Sequence, residues 1–119
     1  LMRPVAAAAR ESLPASHSMR AYAESTLGAA LLGSGDPAAA VQPLHAAMTS
    51  RRASLPAGHP LLISSECALL EAQAHTGDHA ARLRIDELLA ESSAGLGDEH
   101  PIIVRCRERQ RRVAGSRPG

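Results

Sequence analysis

Three similar stretches recur along the chain: LPASHS at residues 13–18, LPAGHP at 55–60 and LGDEHP at 96–101. Each begins with a leucine, and the three leucines are 42 and 41 residues apart. A fixed period of this length is typical of helical repeat arrays, in which each unit stacks on its neighbours. The recurring stretch therefore predicts an all-α solenoid, whereas it says little about function, because such arrays are general binding surfaces.

The composition indicates a core made of small apolar residues. Tyr22 is the one aromatic residue, so burial must rest on leucine, isoleucine, valine and alanine, and alanine lets helices approach closely. The formal net charge of +1 argues against strong attraction to nucleic acid or to a membrane surface. All thirteen basic residues are arginine, which suggests a gene from a GC-rich bacterium.

Targeting signals are not evident in the sequence. No apolar run approaches the roughly 18 residues of a transmembrane helix, and residues 1–10 lack the pattern of a signal peptide. We therefore expect a cytoplasmic protein with no membrane partner. The two cysteines, Cys67 and Cys106, belong to no CxxC pair, and we predict that both are reduced, half-buried thiols.

Turn signals recur in the same register as the leucines. Gly35-Asp36 and Gly77-Asp78 are 42 residues apart, and in both the glycine suits the end of one helix and the aspartate the start of the next. Helices are predicted over about 18–34, 37–53, 60–76, 79–93 and from 101 onward. The spacing of apolar residues predicts that the first helix buries a stripe and that the helix over 79–93 buries one face. The stripe comprises Tyr22, Ala23, Thr26, Leu27, Ala30 and Leu31, and the face comprises Ala81, Leu83, Ile85, Leu88 and Leu89. The predicted units are the end of a preceding repeat helix (1–12), a first repeat (13–54), a second repeat (55–95), a capping helix (96–114) and a disordered tail (115–119).

The first repeat carries a recognisable pattern. Its residues Leu27-Gly28, Leu31, Gly35, Ala40, Leu44 and Ala47 resemble the tetratricopeptide repeat, whose usual period is 34 residues. The longer period and the LGDEHP linker resemble the variety found in kinesin light chains and in many bacterial signalling proteins. The resemblance implies a right-handed solenoid of helical hairpins, with about two full repeats between a partial N-terminal helix and a C-terminal cap. Leu70 departs from the pattern, because it stands where Gly28 stood.

The resemblance also implies a concave groove lined by the first helix of each repeat. By position, the groove residues expected to contact a protein or peptide partner are Tyr22, Ser25, Ala29, Leu32, Ser64, Cys67, Glu71, His75, Arg105, Glu108, Arg109 and Arg112. The arginines at the end of the groove can bind a carboxylate or phosphate through two parallel hydrogen bonds. Two plainer interpretations stay open: the arginines only solvate a terminal helix, and Tyr22 only seals packing against the preceding helix.

Neither a metal, nor another cofactor, nor catalysis is expected. His17, His59 and His100 recur once per repeat, which favours helix caps or linker positions over ligands of one ion. His75 and His79 have the spacing of a zinc helix, but the turn at Gly77-Asp78 interrupts them. The sequence contains no phosphate-binding glycine loop and no G-x-S-x-G nucleophile motif, so we do not predict an enzyme.

Two functions are compatible with these observations. The first is a non-catalytic protein-interaction module at the C-terminal end of a bacterial signalling protein, such as a Ser/Thr kinase or a transcriptional regulator. The alternative is self-association, in which the end faces of a short array pair in a homodimer. Nucleic-acid binding through the terminal arginines is a third and weaker option, because Glu108 and the near-neutral net charge oppose it.

Overall fold

The computed structural model describes residues 17–115, which form five helices and, within that range, no strand. The helices are α1 (His17–Gly33), α2 (Pro37–Ser54), α3 (Pro60–His75), α4 (His79–Leu96) and α5 (Pro101–Gly115). Each packs against the next, and α3 also packs against α1 and α5. The all-α prediction is confirmed. The predicted helix end at 1–12 and residues 116–119 of the predicted tail lie outside the described residues.

The turns within the hairpins follow the predicted chemistry. Gly35 and Gly77 have φ angles of +89° and +100°, in the left-handed region that glycine adopts without strain. The Oδ1 atom of Asp36 accepts a hydrogen bond from the Ala39 backbone N–H at 3.2 Å, which caps α2. Asp78 caps α4 in the same way. The recurrence of Gly-Asp at a 42-residue interval is therefore a recurrence of one turn.

Two of the repeated histidines begin helices. The Nδ1 atom of His59 accepts a hydrogen bond from the Leu61 N–H at 3.1 Å, and His100 accepts one from the Ile102 N–H at the same distance. In both cases a proline follows, preset for the first helical position. The predicted cap role is confirmed for these two residues, whereas the side chain of His17 lies outside the described part of the chain.

Helix α3 is the centre of the structure. Its buried residues are Ile63, Ser65, Cys67, Ala68, Leu69, Leu70, Glu71, Ala72 and Ala74. A helix with buried residues on every side must be surrounded by other elements. One apolar cluster joins α3 to α2 around Leu44 and Leu69, and a second joins it to α4 and α5 around Ile85 and Ile103. The core is therefore a strip that runs through α3.

Helix α1 buries a different face from the one that its sequence predicts. The predicted apolar stripe consists of Tyr22, Ala23, Thr26, Leu27, Ala30 and Leu31. All of these side chains are exposed except Leu31, which is half-buried. The buried positions are Ala21 and Gly28, and α2 packs against them. Gly28 has no side chain, so Leu44 of α2 can occupy the space beside its backbone. The prediction was wrong because it followed residue size, whereas the closest helix contact uses the smallest residue.

The buried face of α4 also differs at one position. The sequence predicts burial of Leu83, but its side chain is 56% exposed. It lines an open cleft between α4 and the end of α5, beside Arg82 and Val113. The buried side of α4 instead consists of Ala81, Ile85, Leu88 and Leu89. Leu83 is exposed because α5 covers only one side of α4.

Helix α5 is attached by few apolar side chains. Only Ile103, Cys106 and Val113 of this helix are buried. Polar contacts supplement them: Arg82 Nη1 donates to the Val113 carbonyl at 2.7 Å, and Gln110 Nε2 donates to Asp86 Oδ1 at 2.7 Å. None of the described helices has both the length and the apolar character to cross a membrane.

The contact between Gly28 and Leu44 makes a prediction about stability. A methyl group at Gly28 would overlap the side chain of Leu44, which is 1% exposed and confined by its neighbours. We expect Gly28→Ala to lower the free energy of unfolding by about 1–3 kcal/mol, the usual cost of overpacking. Chemical denaturation monitored by circular dichroism measures it.

The matched control for this substitution is Gly33→Ala in the same helix. A Cβ atom at Gly33 would meet nothing within 4 Å. Alanine is the better helix former, so this variant should be as stable as the unsubstituted chain or slightly more stable. Equal stability of the two variants would mean that α1 and α2 do not meet closely at Gly28.

Candidate binding site

A buried carboxylate on α3 is the centre of the candidate site. The side chain of Glu71 is 4% exposed. Its Oε1 atom accepts a hydrogen bond from Arg109 Nη1 at 2.7 Å, and its Oε2 atom accepts one from Arg112 Nε at 2.7 Å. Arg112 adds a second bond from Nη2 to Oε1 at 3.2 Å, and His75 Nε2 lies 3.2 Å from Oε2. Both oxygens are therefore bonded by cations from α5.

The environment of Glu71 keeps it ionised. Burial by itself raises the pKa of the Glu71 carboxyl, because it penalises the charged form. Hydrogen bonds from Arg112 and Arg109, together with their positive charges, lower the pKa by more than burial raises it. The net pKa lies below its ordinary value of 4.5, so Glu71 carries a full negative charge at neutral pH.

The two arginines line an open cleft of about 660 Å³ between α3, α5 and the end of α1. One wall is cationic, with Arg109, Arg112 and His75 beside the Glu71 carboxylate. The opposite wall is mainly apolar or backbone and consists of Ala29, Leu32, Gly33, Gly35 and Pro37. Because the cations face apolar surface across a narrow space, the cleft can hold a chain that is both acidic and apolar.

Arg112 has donors to spare at the mouth of the cleft. Its side chain is 54% exposed, whereas that of Arg109 is 20% exposed. The two bonds to Glu71 use Nε and one Nη2 hydrogen, and a guanidinium has five N–H donors. With two arginines against one glutamate, these three side chains carry a net charge of +1. They can therefore attract one further anionic group.

The structure brings together six of the predicted groove residues: Ala29, Leu32, Glu71, His75, Arg109 and Arg112. Tyr22, Arg105 and Glu108 are exposed, while Ser25 and Ser64 are half-buried, and none of these five lines the cleft. The charge of Glu108 acts on Arg112, whose pKa is raised mainly by the hydrogen bond to Glu71. The positive charge at the arginine-rich end of the predicted groove is thus partly neutralised by Glu71 and Glu108 of the same chain.

Cys67 and Cys106 were predicted to be reduced, half-buried thiols, and this is wrong. They form a disulfide, with the two Cα atoms 5.9 Å apart, within the usual range for a disulfide. Cys67 and Cys106 are 1% and 2% exposed. The sequence prediction failed because it looked for close pairs along the chain, whereas these cysteines meet across α3 and α5.

The repeat period contained a signal for these contacts. Glu71 and Arg112 are 41 residues apart, which equals the second repeat interval, so they occupy equivalent positions on successive first helices. Glu71 and Arg109 are 38 residues apart, and the cysteines 39. Both values fall short of the repeat interval by no more than about one helical turn. Residues separated by about one period are therefore neighbours between α3 and α5.

No family model matches the chain, and comparisons with curated proteins and with solved structures found no match either.

The lowered pKa of Glu71 makes stability depend on pH. The ionised carboxylate stabilises the folded chain at neutral pH, and this contribution is lost as the pH falls below about 4.5 and through the lower folded-state pKa. We expect Glu71→Gln to lower the free energy of unfolding by about 1–2 kcal/mol at neutral pH. The expected loss is modest because Arg112 is half exposed, so solvent screens its attraction to Glu71. The difference should shrink on acidification to about pH 3.

Urea unfolding of both chains across this pH range measures the effect. Glu99→Gln is the matched control, because it removes an exposed carboxylate that lies outside the cleft. It should leave the pH dependence of the unfolding free energy unchanged. If the difference between the unsubstituted chain and Glu71→Gln were the same at neutral and acidic pH, Glu71 would not be held by the arginines.

Proposed function

We propose that this chain is a non-catalytic interaction module that binds an acidic segment of a partner protein in the cleft between α1, α3 and α5. In this proposal the five helices form a tetratricopeptide-like, right-handed solenoid of two hairpins, α1–α2 and α3–α4, closed by α5. Its place in a bacterial signalling protein stays a prediction from the resemblance.

Two observations support the solenoid. The Gly-Asp turn and the His-Pro helix start both recur at the repeat interval and form the same hydrogen bonds each time. Contacts also follow the order of an array, because helices pack against near neighbours in sequence and α3 contacts the first helix of the units on either side. A compact bundle would bring the first and last helices together.

The observation that carries the binding proposal is the position of Arg112. Its guanidinium is half exposed at the mouth of the cleft, and Glu71 holds its planar group side-on from behind. A partner carboxylate can thus bind a preorganised donor without ordering it first, which lowers the entropic cost of binding. Leu32 and Pro37 on the other wall offer apolar contact to a neighbouring side chain of the partner.

The proposal predicts which peptides bind. A fluorescein-labelled peptide rich in glutamate and leucine should bind, and the same peptide with glutamine at every glutamate should bind at least about tenfold more weakly, since a charge-assisted hydrogen bond contributes about 1.4 kcal/mol or more. Fluorescence anisotropy at several salt concentrations measures the dissociation constants. Added salt should weaken binding of the acidic peptide, because part of the attraction is between exposed charges.

Arg112→Gln and Arg111→Gln form a matched pair for this test. Both remove one exposed arginine from α5, but Arg111 lies on the other cleft, next to Leu83. We expect Arg112→Gln to weaken binding of the acidic peptide about tenfold, and we expect Arg111→Gln to have little effect on it. Thermal unfolding of both variants checks that α5 is still folded. Equal loss of affinity in the two variants would mean that the peptide is held by general charge attraction and not by the cleft.

Self-association is the second candidate, and the exposed stripe on α1 favours it. Met19 and Leu27 are 53% and 47% exposed, and Ala23 and Ala30 on the same stripe are exposed as well. The positions 42 residues later on α3 include Ser65, Leu69 and Ala72, which are buried. Leu69 and Ala72 pack with apolar side chains of α2, and Ser65 is hydrogen-bonded to Arg51 of α2. In the second unit, α2 covers this face of α3. Among the described residues of the first unit, no helix covers the corresponding face of α1.

Light scattering tests this second candidate. If α1 of two copies pair through this stripe, the molar mass should rise toward that of a dimer with concentration, and Leu27→Glu should keep the chain monomeric, since it places a charge in the contact. Leu83→Glu is the control, because Leu83 is equally exposed but belongs to α4. A monomeric mass for the unsubstituted chain at every concentration would eliminate self-association.

A further inference from the structure

The disulfide is the covalent connection between the last helix and the centre of the array. Cys67 lies on α3 and Cys106 on α5, 39 residues apart in sequence, with the whole of α4 between them. Glu71 follows Cys67 by one helical turn, and Arg109 follows Cys106 by nearly one turn. The covalent link and the ion cluster are thus adjacent on the same contact between α3 and α5.

Apart from the disulfide, α5 has few apolar contacts. Ile103 and Val113 are its other buried residues, Ile102 is half-buried against the same cluster, and most of the remaining side chains are charged or polar. The ion pairs of Arg109 and Arg112 with Glu71 are its other attachment to α3. Its bonds to α4, from Gln110 to Asp86 and from Arg82 to the Val113 carbonyl, reach partly exposed groups. The core around Leu44 and Leu69 does not involve α5 at all. The docking of α5 can therefore change while the α1–α2 hairpin and its contact with α3 stay intact.

We infer that the Cys67–Cys106 disulfide is a redox switch for the cleft: the oxidised chain holds α5 against α3 and keeps the binding site assembled, and reduction releases α5. This inference rests on the proposed function, because it concerns the regulation of the same cleft. The structure is that of the oxidised state, with both sulfurs bonded and buried.

The chemistry of the switch is thiol–disulfide exchange with a dithiol. A thiolate of the dithiol attacks one sulfur, the S–S bond breaks, and the dithiol then closes into its own disulfide as it releases the second cysteine. The protein gains two electrons and two protons and ends with two thiols. Because both cysteines are at most 2% exposed, a reductant reaches the S–S bond only through a local opening of the contact between α3 and α5. Release of α5 and reduction therefore favour each other.

The consequence for the cleft follows from the residues on α5. This helix supplies Arg109 and Arg112, and its departure would leave the Glu71 carboxylate on α3 without either arginine, with His75 of the same helix beside it. The site would lose its two guanidinium groups and keep a negative charge beside an apolar wall. An acidic ligand would then be repelled where it was attracted. Disulfides persist in oxidising compartments and are broken in reducing ones, so the environment of the chain would set its binding state.

Hydrogen exchange of the full chain with oxidised or reduced dithiothreitol tests the switch. On reduction, we expect amides of α5 to exchange at least about tenfold faster, while those of α2 stay unchanged as an internal reference. In parallel, the glutamate- and leucine-rich peptide should bind the reduced chain at least about tenfold more weakly. The double variant Cys67→Ala, Cys106→Ala should resemble the reduced chain and should not respond to dithiothreitol.

Each outcome separates the switch from the proposed function. Unchanged exchange of α5 on reduction would overturn the inference, and so would measurable binding of the peptide with the same affinity by the oxidised and the reduced chain. Faster exchange of α5 together with loss of binding would support both ideas. Faster exchange of α5 with no peptide bound in either state would support the redox opening of α5 and refute the acidic-peptide function.

Discussion

The burial of one negative charge organises the half of this protein that contains the cleft. Glu71 lies on the central helix with its carboxylate almost inaccessible to water, and an isolated charge in such a place would be strongly destabilising. Its partners Arg109 and Arg112 both come from α5. A helix with few apolar side chains is thereby held at one position along α3, and the same ion pairs make the cationic wall of the cleft. Stability and binding surface depend on one set of contacts.

Helix α3 is buried on all sides, and small residues along it let neighbouring helices approach closely. Alanine at positions such as 68 and 72 lets α2 approach, and Cys67 and Ala74 leave room for the α4 and α5 side. The end of α1 and the end of α5 then lie on opposite sides of the last turn of α3, where Glu71 and His75 line the space between them. The apolar wall of the cleft belongs to the first hairpin and the cationic wall to α3 and α5. Any motion of α5 relative to α3 therefore changes the site.

Much of the fold could be predicted because its signals are local. Asp36, Asp78, His59 and His100 form hydrogen bonds only two or three residues along the chain, so the sequence contains the whole interaction. The site was partly predictable for a related reason: a 41-residue separation places Arg112 beside Glu71 whenever successive units stack in register. The faces of α1 and α4 were less predictable, because an apolar stripe indicates what can be buried and not which neighbour is present.

The sequence by itself determined the helices, their ends, the repeat interval and the identity of most cleft residues, since periodicity and helix caps are properties of short segments. Only the tertiary structure decided that Arg109 and Arg112 bind the chain's own Glu71, and that Cys67 meets Cys106. It also decided that Leu27 and Leu83 stay exposed. These outcomes depend on the distance and rotation between helices far apart in sequence. The distances and rotations between helices are set by the packing around α3 and by contacts between its neighbours. The contact of Gly28 in α1 with Leu44 in α2 is one of these.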